Sequence, residues 1–437
     1  MNSVLVYTHK LTNRNSYMFR LFFRELLGLD LVMTDCINDF AAATGPKVSY
    51  GEEPIADELF FYARSLVFET GIVEQNISVF TWEGNEVFYA TGKNSALPFD
   101  PFCCGFYLVS RYEEYLPHIR DSNDRFDAHN SLAYQHNFLS KPVVNQWAEL
   151  IRKKLAEKYP ALVFPIKNFR FQPTIDIDNA YAYREKGFMR TVGGYAKAIL
   201  KFDLEDVRMR TRVLLGLRND PYDTYAYQLA LQKKYSLKPI YFFLLGDYGL
   251  NDKNISSQNH NFRQLICHLS DYAEVGVHPS FGSNKDPLKL QVEIGRLKNI
   301  VHRDIFQSRQ HFLMLKFPST YRNLLARDIT ADYSMGFANE VGFRAGICCP
   351  FNFYDLDLER ETTLRIHPFA AMDATLNLYM RLTPDEAFDK VKNLILEIKK
   401  VNGVFSTLWH NETLSDEKQW KGWKRVYEDI IEEACSK

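Results

Sequence analysis

Four short stretches of this 437-residue sequence end in side chains able to bind cations or move protons. Thr174-Ile175-Asp176-Ile177-Asp178 sets two carboxylates at i and i+2, on one side of an extended segment. Two close carboxylates repel, so one holds a proton or the pair shares a cation. Glu274-Val275-Gly276-Val277-His278 closes an apolar run with an imidazole suited to a metal or to base chemistry. Ser308-Arg309-Gln310-His311 repeats the i, i+2 spacing, with Arg309 suited to clamp a carboxylate and His311 to bind a metal or polar substrate. Thr407-Leu408-Trp409-His410 ends another apolar run in a histidine with no evident core role. Each has a plainer reading: a solvated Asp turn, a structural histidine, a surface salt bridge. Taken jointly they give the pattern of a metal hydrolase, and oxygen and imidazole donors without Cys suit zinc or a related divalent ion.

The elements that must position these residues fall into two textures. Up to about residue 165, mixed short segments predict a smaller α+β domain, 1–165. Its signals are a strand at 3–7, an amphipathic helix at 15–27, and a hairpin within 79–91 turning at Gly84-Asn85. A dense apolar stretch at 99–118 and a helix at 143–159 complete it. Inside the dense stretch, Arg111-Tyr112-Glu113-Glu114 reads as a buried or interdomain salt bridge. From 166 to 437, apolar strands alternate with helical patterns. The strand candidates are 169–176, 238–246, 273–280, 305–311, 329–336, 342–346, 364–372 and 403–410. Thr383-Pro384-Asp385-Glu386 forms a capping box with Pro at the first helical position. Alternating strand and helix predicts mostly parallel strands and a β/α barrel, complete or distorted, with chemistry at the C-terminal strand ends.

Composition narrows the functional classes. Hydrophobic residues are 46% and charged residues 24%, which gives ample core material. A net charge of -1 argues against a nucleic-acid partner. No apolar run reaches about 18 residues, so no transmembrane segment is expected. The opening MNSVLVYTHK lacks a basic segment followed by a long apolar one, which predicts a cytoplasmic protein without a secretory signal. The seven Cys form no CxxC, so neither a disulfide framework nor a thiolate zinc site is indicated.

Residues 166–437 resemble the polysaccharide deacetylase superfamily (carbohydrate esterase family four, the NodB-homology domain), a family of distorted β/α barrels with five motifs. TIDID is similar to the family's T-F-D-D, with one residue inserted between the acids; the resemblance implies Asp176 as base and Asp178 as metal ligand, or the two exchanged. His278 matches the first histidine of H-S/T-x-x-H, but Gly282 stands where the second ligand belongs. Arg309-Gln310-His311 resembles R-x-P-Y with His311 in place of Pro, and we read His311 as the substitute ligand. Asp332 is the candidate for the fourth motif, positioned to orient His410 or keep it protonated. Leu408-Trp409-His410 matches L-x-H, which implies His410 as general acid. Arg344 and Asp373 also fall at strand ends, as cleft or ion-pair residues.

The expected activity is metal-dependent removal of an acetyl or other acyl group from a carbohydrate. The expected cofactor is zinc, or cobalt or nickel, held by Asp178, His278 and His311. Asp176, Arg309, Asp332 and His410 would serve catalysis. The expected substrate is an acetylated sugar, oligosaccharide or lipid-linked glycan precursor. The displaced ligand of the second motif also admits another reading, a decayed barrel that binds carbohydrate or acts in assembly.

Overall fold

The computed structural model of the protein describes residues 2–92 and 94–436. Its strands are β1 (Ser3–Thr8), β2 (Asp30–Thr34), β3 (Lys47–Gly51), β4 (Leu59–Tyr62), β5 (Phe80–Trp82), β6 (Asn85–Val87), β7 (Arg170–Ile177) and β8 (Ile240–Phe243). They continue with β9 (Glu274–Val277), β10 (Gln307–Ser308), β11 (Ala331–Asp332), β12 (Phe351–Asp355), β13 (Arg360–Ile366), β14 (Ala371–Met372) and β15 (Val404–His410).

The first four strands form a sheet in the order β2-β1-β3-β4, and every pairing in it is parallel. This segment is therefore more regularly α/β than the expected α+β arrangement; antiparallel pairing in it is confined, among the described residues, to the hairpin β5–β6 and two isolated bridges, Ala90 with Phe99 and Arg120 with Phe126. That hairpin turns at Glu83-Gly84, one residue earlier than read from the sequence. Both turn residues have positive φ (47° and 76°), the twist a two-residue hairpin loop demands.

The larger sheet has nine strands in the order β12-β13-β11-β10-β9-β8-β7-β15-β14. All its pairings are parallel except β12 with β13. Among the described residues the edge strands β12 and β14 do not pair, so the sheet is open. The expected barrel thus holds as a parallel-rich α/β sheet, and its closure does not. At one edge β12 pairs antiparallel with β13, and at the other β14 pairs with β15.

Helix ends follow the local chemistry. Asp100 accepts from the Phe102 and Cys103 N–H groups and opens the buried helix Pro101–Val109. Asp286 caps Pro287–Val301, and the Thr383/Glu386 capping box opens Pro384–Lys400.

One apolar core runs from Val4, Phe102 and Trp147 under the first sheet to Tyr241 and Leu364 in the second. A buried ion cluster crosses the same ground. Glu114 accepts from Arg111 Nε at 2.7 Å and from Arg344 Nη2 at 2.6 Å. Burial works against the Glu114 charge, but the two guanidiniums outweigh it and hold the carboxyl at about 2. Arg111 and Arg344 are thus structural ion-pair residues.

Candidate metal centre and cleft

The C-terminal ends of β7, β9, β10 and β15 open on one side of the sheet. In the β15–β7 register His410 lies opposite Asp176. β9 reaches its place between β8 and β10 because position 276 is glycine. A Cβ there would lie 2.5 Å from the Phe242 ring and 2.8 Å from the Gln307 carbonyl oxygen. The backbone beyond is held by the N–H of His278 on the Phe243 carbonyl (3.0 Å) and that of His311 on the Pro279 carbonyl (3.1 Å).

Asp178, His278 and His311 each turn one ligand atom to a common point, with these atoms within 4.8 Å of one another. His278 Nε2 is 3.0 Å from Asp178 Oδ1, and His311 Nε2 is 3.3 Å from Asp178 Oδ2. The far ring nitrogens have acceptors: His278 Nδ1 meets the Arg309 carbonyl at 2.5 Å, and His311 Nδ1 meets Asp252 Oδ1 at 2.9 Å. An N–H at each Nδ1 leaves the Nε2 lone pairs facing the common point, as metal-binding histidines require. Asp178 Oδ1 is buried yet accepts no hydrogen bond among the described residues. Lone-pair atoms crowded together in this way are costly unless a cation joins them. The donor set therefore fits a divalent ion: one carboxylate and two imidazoles, with room for further ligands.

Asp176 and His410 flank this cluster. Asp176 Oδ1 pairs with Arg309 Nη1 at 3.3 Å, and its Oδ2 lies 3.7 Å from His278 Nε2. Arg309 is fully buried, donates from Nε to the Tyr333 carbonyl at 3.0 Å and lies over the Phe242 ring. His410 Nε2 lies 3.7 Å from Asp178 Oδ2. Burial opposes the His410 charge, but Asp373, with Asp178 and Asp176, raises its pKa well above the usual value.

Six of the seven residues read from the sequence meet at this place; Asp332 lies behind it. Asp332 accepts from Ser308 Oγ (2.8 Å) and from the Ser334 N–H (2.9 Å), and burial pushes its carboxyl up to about 6. The group bonded to His410 Nδ1 is Asp373, at 2.8 Å. Sequence reasoning missed Asp252, which sits in the loop after β8. It also ties down the Phe281 and Gly282 N–H groups, where the second histidine of the motif would stand. Glu412 was missed as well; burial foremost, with Asp178 and Asp373, raises it to about 7.

A cleft of about 230 Å³ opens over these groups. Phe312, Leu313, Leu378, Tyr379 and Trp420 form its apolar wall. Arg125, from the N-terminal segment, closes one side through the Phe312 carbonyl (2.9 Å) and the Tyr379 hydroxyl (3.2 Å).

Fold and site together define a mixed α/β protein with a carboxylate–imidazole cluster at its parallel strand ends. Residues 4–160 match a family of unknown function (DUF7033). No curated protein matches the chain. Among solved structures, the chain is similar to a Mycobacterium smegmatis protein assigned as a polysaccharide deacetylase, at 11% identity and a TM-score of 0.39, covering 62% of this chain and 86% of that one. Puue allantoinase is similar at 11% identity and a TM-score of 0.38, covering 60% and 83%. The polysaccharide deacetylase Bc1974 of Bacillus cereus is similar at 11% identity and a TM-score of 0.30, covering 61% and 88%.

Proposed function

We propose that the protein is a metal-dependent hydrolase that removes an acetyl or other acyl group from a carbohydrate. The observation that carries the metal is the convergence of Asp178, His278 and His311 with both Nδ1 atoms held by acceptors. The sugar substrate is supported by the motif resemblance of TIDID, RQH and LWH.

A divalent ion at this place, zinc or else cobalt or nickel, supplies Lewis acidity toward water and an acyl carbonyl. Asp178, His278 and His311 hold it. Asp176 accepts the proton of the attacking water, and Arg309 orients Asp176 through its Oδ1. His410 Nε2 gives a proton to the departing amine or alcohol. Asp373 fixes the tautomer and charge of His410, the role first considered for Asp332. Asp332 instead positions Arg309 through Ser308 and Ser334. Residues 1–165 act as a domain that walls the cleft through Arg125.

Acetate release from N- and O-acetylated sugars tests this reading, with metal content measured beside it. Asp176→Asn is expected to keep its metal and lose at least about a hundredfold in rate. A metal-free Asp176→Asn with a metal-retaining Asp178→Asn would exchange the two acids. The second reading, a carbohydrate-binding protein on a decayed site, draws on Gly282 standing at the usual ligand position. It predicts sugar binding with no acetate release from a metal-loaded chain.

A further inference from the structure

The crossover from β7 to β8 leaves the sheet directly after Asp178 and projects a helical hairpin, Gly187–Leu200 and Leu204–Leu214. The first helix is inside out for a protein surface. Phe188, Met189, Val192, Ile199 and Leu200 recur at helical spacing on one stripe, and that stripe faces solvent. Phe188 and Leu200 are each 80% exposed. The buried side holds Ala198, and Gly194 lets the Arg210 side chain approach. At the bend, Phe202 is 89% exposed and Leu204 74%.

Charge accompanies this face. Residues 186–218 hold eight Lys or Arg against three Asp or Glu, in a chain of net charge -1. Leu204, Arg208 and Arg212 share the outward face of the second helix at i, i+4 and i+8. Lys197, Lys201, Arg208 and Arg212 are exposed, and no ion pair engages them among the described residues. An apolar stripe bordered by unpaired cations is the composition of helices that lie in the interface of an anionic bilayer. A second copy meeting this hairpin face to face would set these cations against their own like charges, whereas an anionic lipid surface complements them.

We propose that this hairpin docks the protein on an anionic phospholipid surface, burying Phe188, Leu200, Phe202 and Leu204 among the acyl chains. The hairpin also anchors to the rim of the cleft. Lys418 Nζ meets Asp206 at 2.9 Å, and Arg218 pairs with Glu417, in the segment between Glu412 and Trp420. Docking therefore holds the cleft at the bilayer, where a substrate carried on a lipid is met; this last step rests on the hydrolase reading, and the docking does not.

The test is flotation of the full chain with phosphatidylcholine vesicles containing about 30% phosphatidylglycerol, and with pure phosphatidylcholine vesicles. The wild type is expected to float with the anionic vesicles and at least about tenfold less with the neutral ones. Phe188→Ser/Phe202→Ser and Lys197→Glu/Lys201→Glu should each lower the anionic binding by about tenfold or more while leaving the melting temperature unchanged. A wild type that does not float, or variants that float as it does, overturns the proposal. So does a dimer in sedimentation velocity that the Phe variant dissolves while no vesicle binding is seen. Vesicle binding is read without activity, so its failure is distinct from a failure to release acetate.

Discussion

Asp373 holds His410 from two sides: its Oδ1 lies 2.8 Å from the ring Nδ1, and its Oδ2 accepts the His410 backbone N–H at 2.7 Å. Ring orientation, tautomer and charge are set by one buried carboxylate. Because Asp373 raises the His410 pKa, the acid form persists to higher pH. Asp373→Asn is expected to lower kcat by about ten- to a hundredfold. It should also move the basic limb of the kcat/KM profile toward lower pH. An unmoved limb would remove His410 from the role of general acid.

The Arg111–Glu114–Arg344 cluster predicts a stability effect far from the cleft. Arg344→Met leaves Glu114 buried with one guanidinium instead of two. Breaking a buried ion pair on one side costs about 3 kcal/mol or more. Urea unfolding should show that loss, and the segment 166–437 expressed alone should fail to fold cooperatively, since the core and this cluster span the boundary. A fully stable 166–437 segment would contradict this.

Asp332 gives a pH signature. Burial raises its pKa from 3.8 to about 6 in the folded chain. Between those values the folded state keeps a proton that the unfolded state has released, so this group's contribution to stability falls as pH rises and then levels off. Asp332→Asn removes that titration. From about pH 4 to pH 7 the variant should gain up to about 3 kcal/mol relative to the wild type. Urea midpoints at several pH values measure it; parallel curves for the two proteins would count against it.

Much of the site was legible because strand periodicity fixes where side chains go. Asp176 lies in β7 and Asp178 one residue past its end, so i, i+2 spacing sets both toward the cleft; Arg309 and His311 follow the two-residue β10 and reach it from the turn beyond, close to their strands' C-terminal ends. The partners were less legible. Asp252 comes from a loop, where no periodicity links it to His311, which lies 59 residues away in sequence. Asp373 looked like Asp332: both are buried acids at strand ends, and only the open sheet's order, with β14 beside β15 and β11 beside β10, decides which meets His410. That order was not readable either, because β10, β11 and β14 are two-residue strands whose pairing depends on neighbours rather than on their own pattern. The capping box at Thr383 and the hairpin at 79–91 were readable because their signals are local.

Whether Asp178, His278 and His311 hold a divalent ion is read by elemental mass spectrometry of the purified chain beside His311→Ala. About one zinc, cobalt or nickel per wild-type chain, absent from the variant, is the predicted result. A wild type that takes up no ion even with excess zinc would contradict the proposed metal site, and metal retained by His311→Ala would remove His311 from the ligand set.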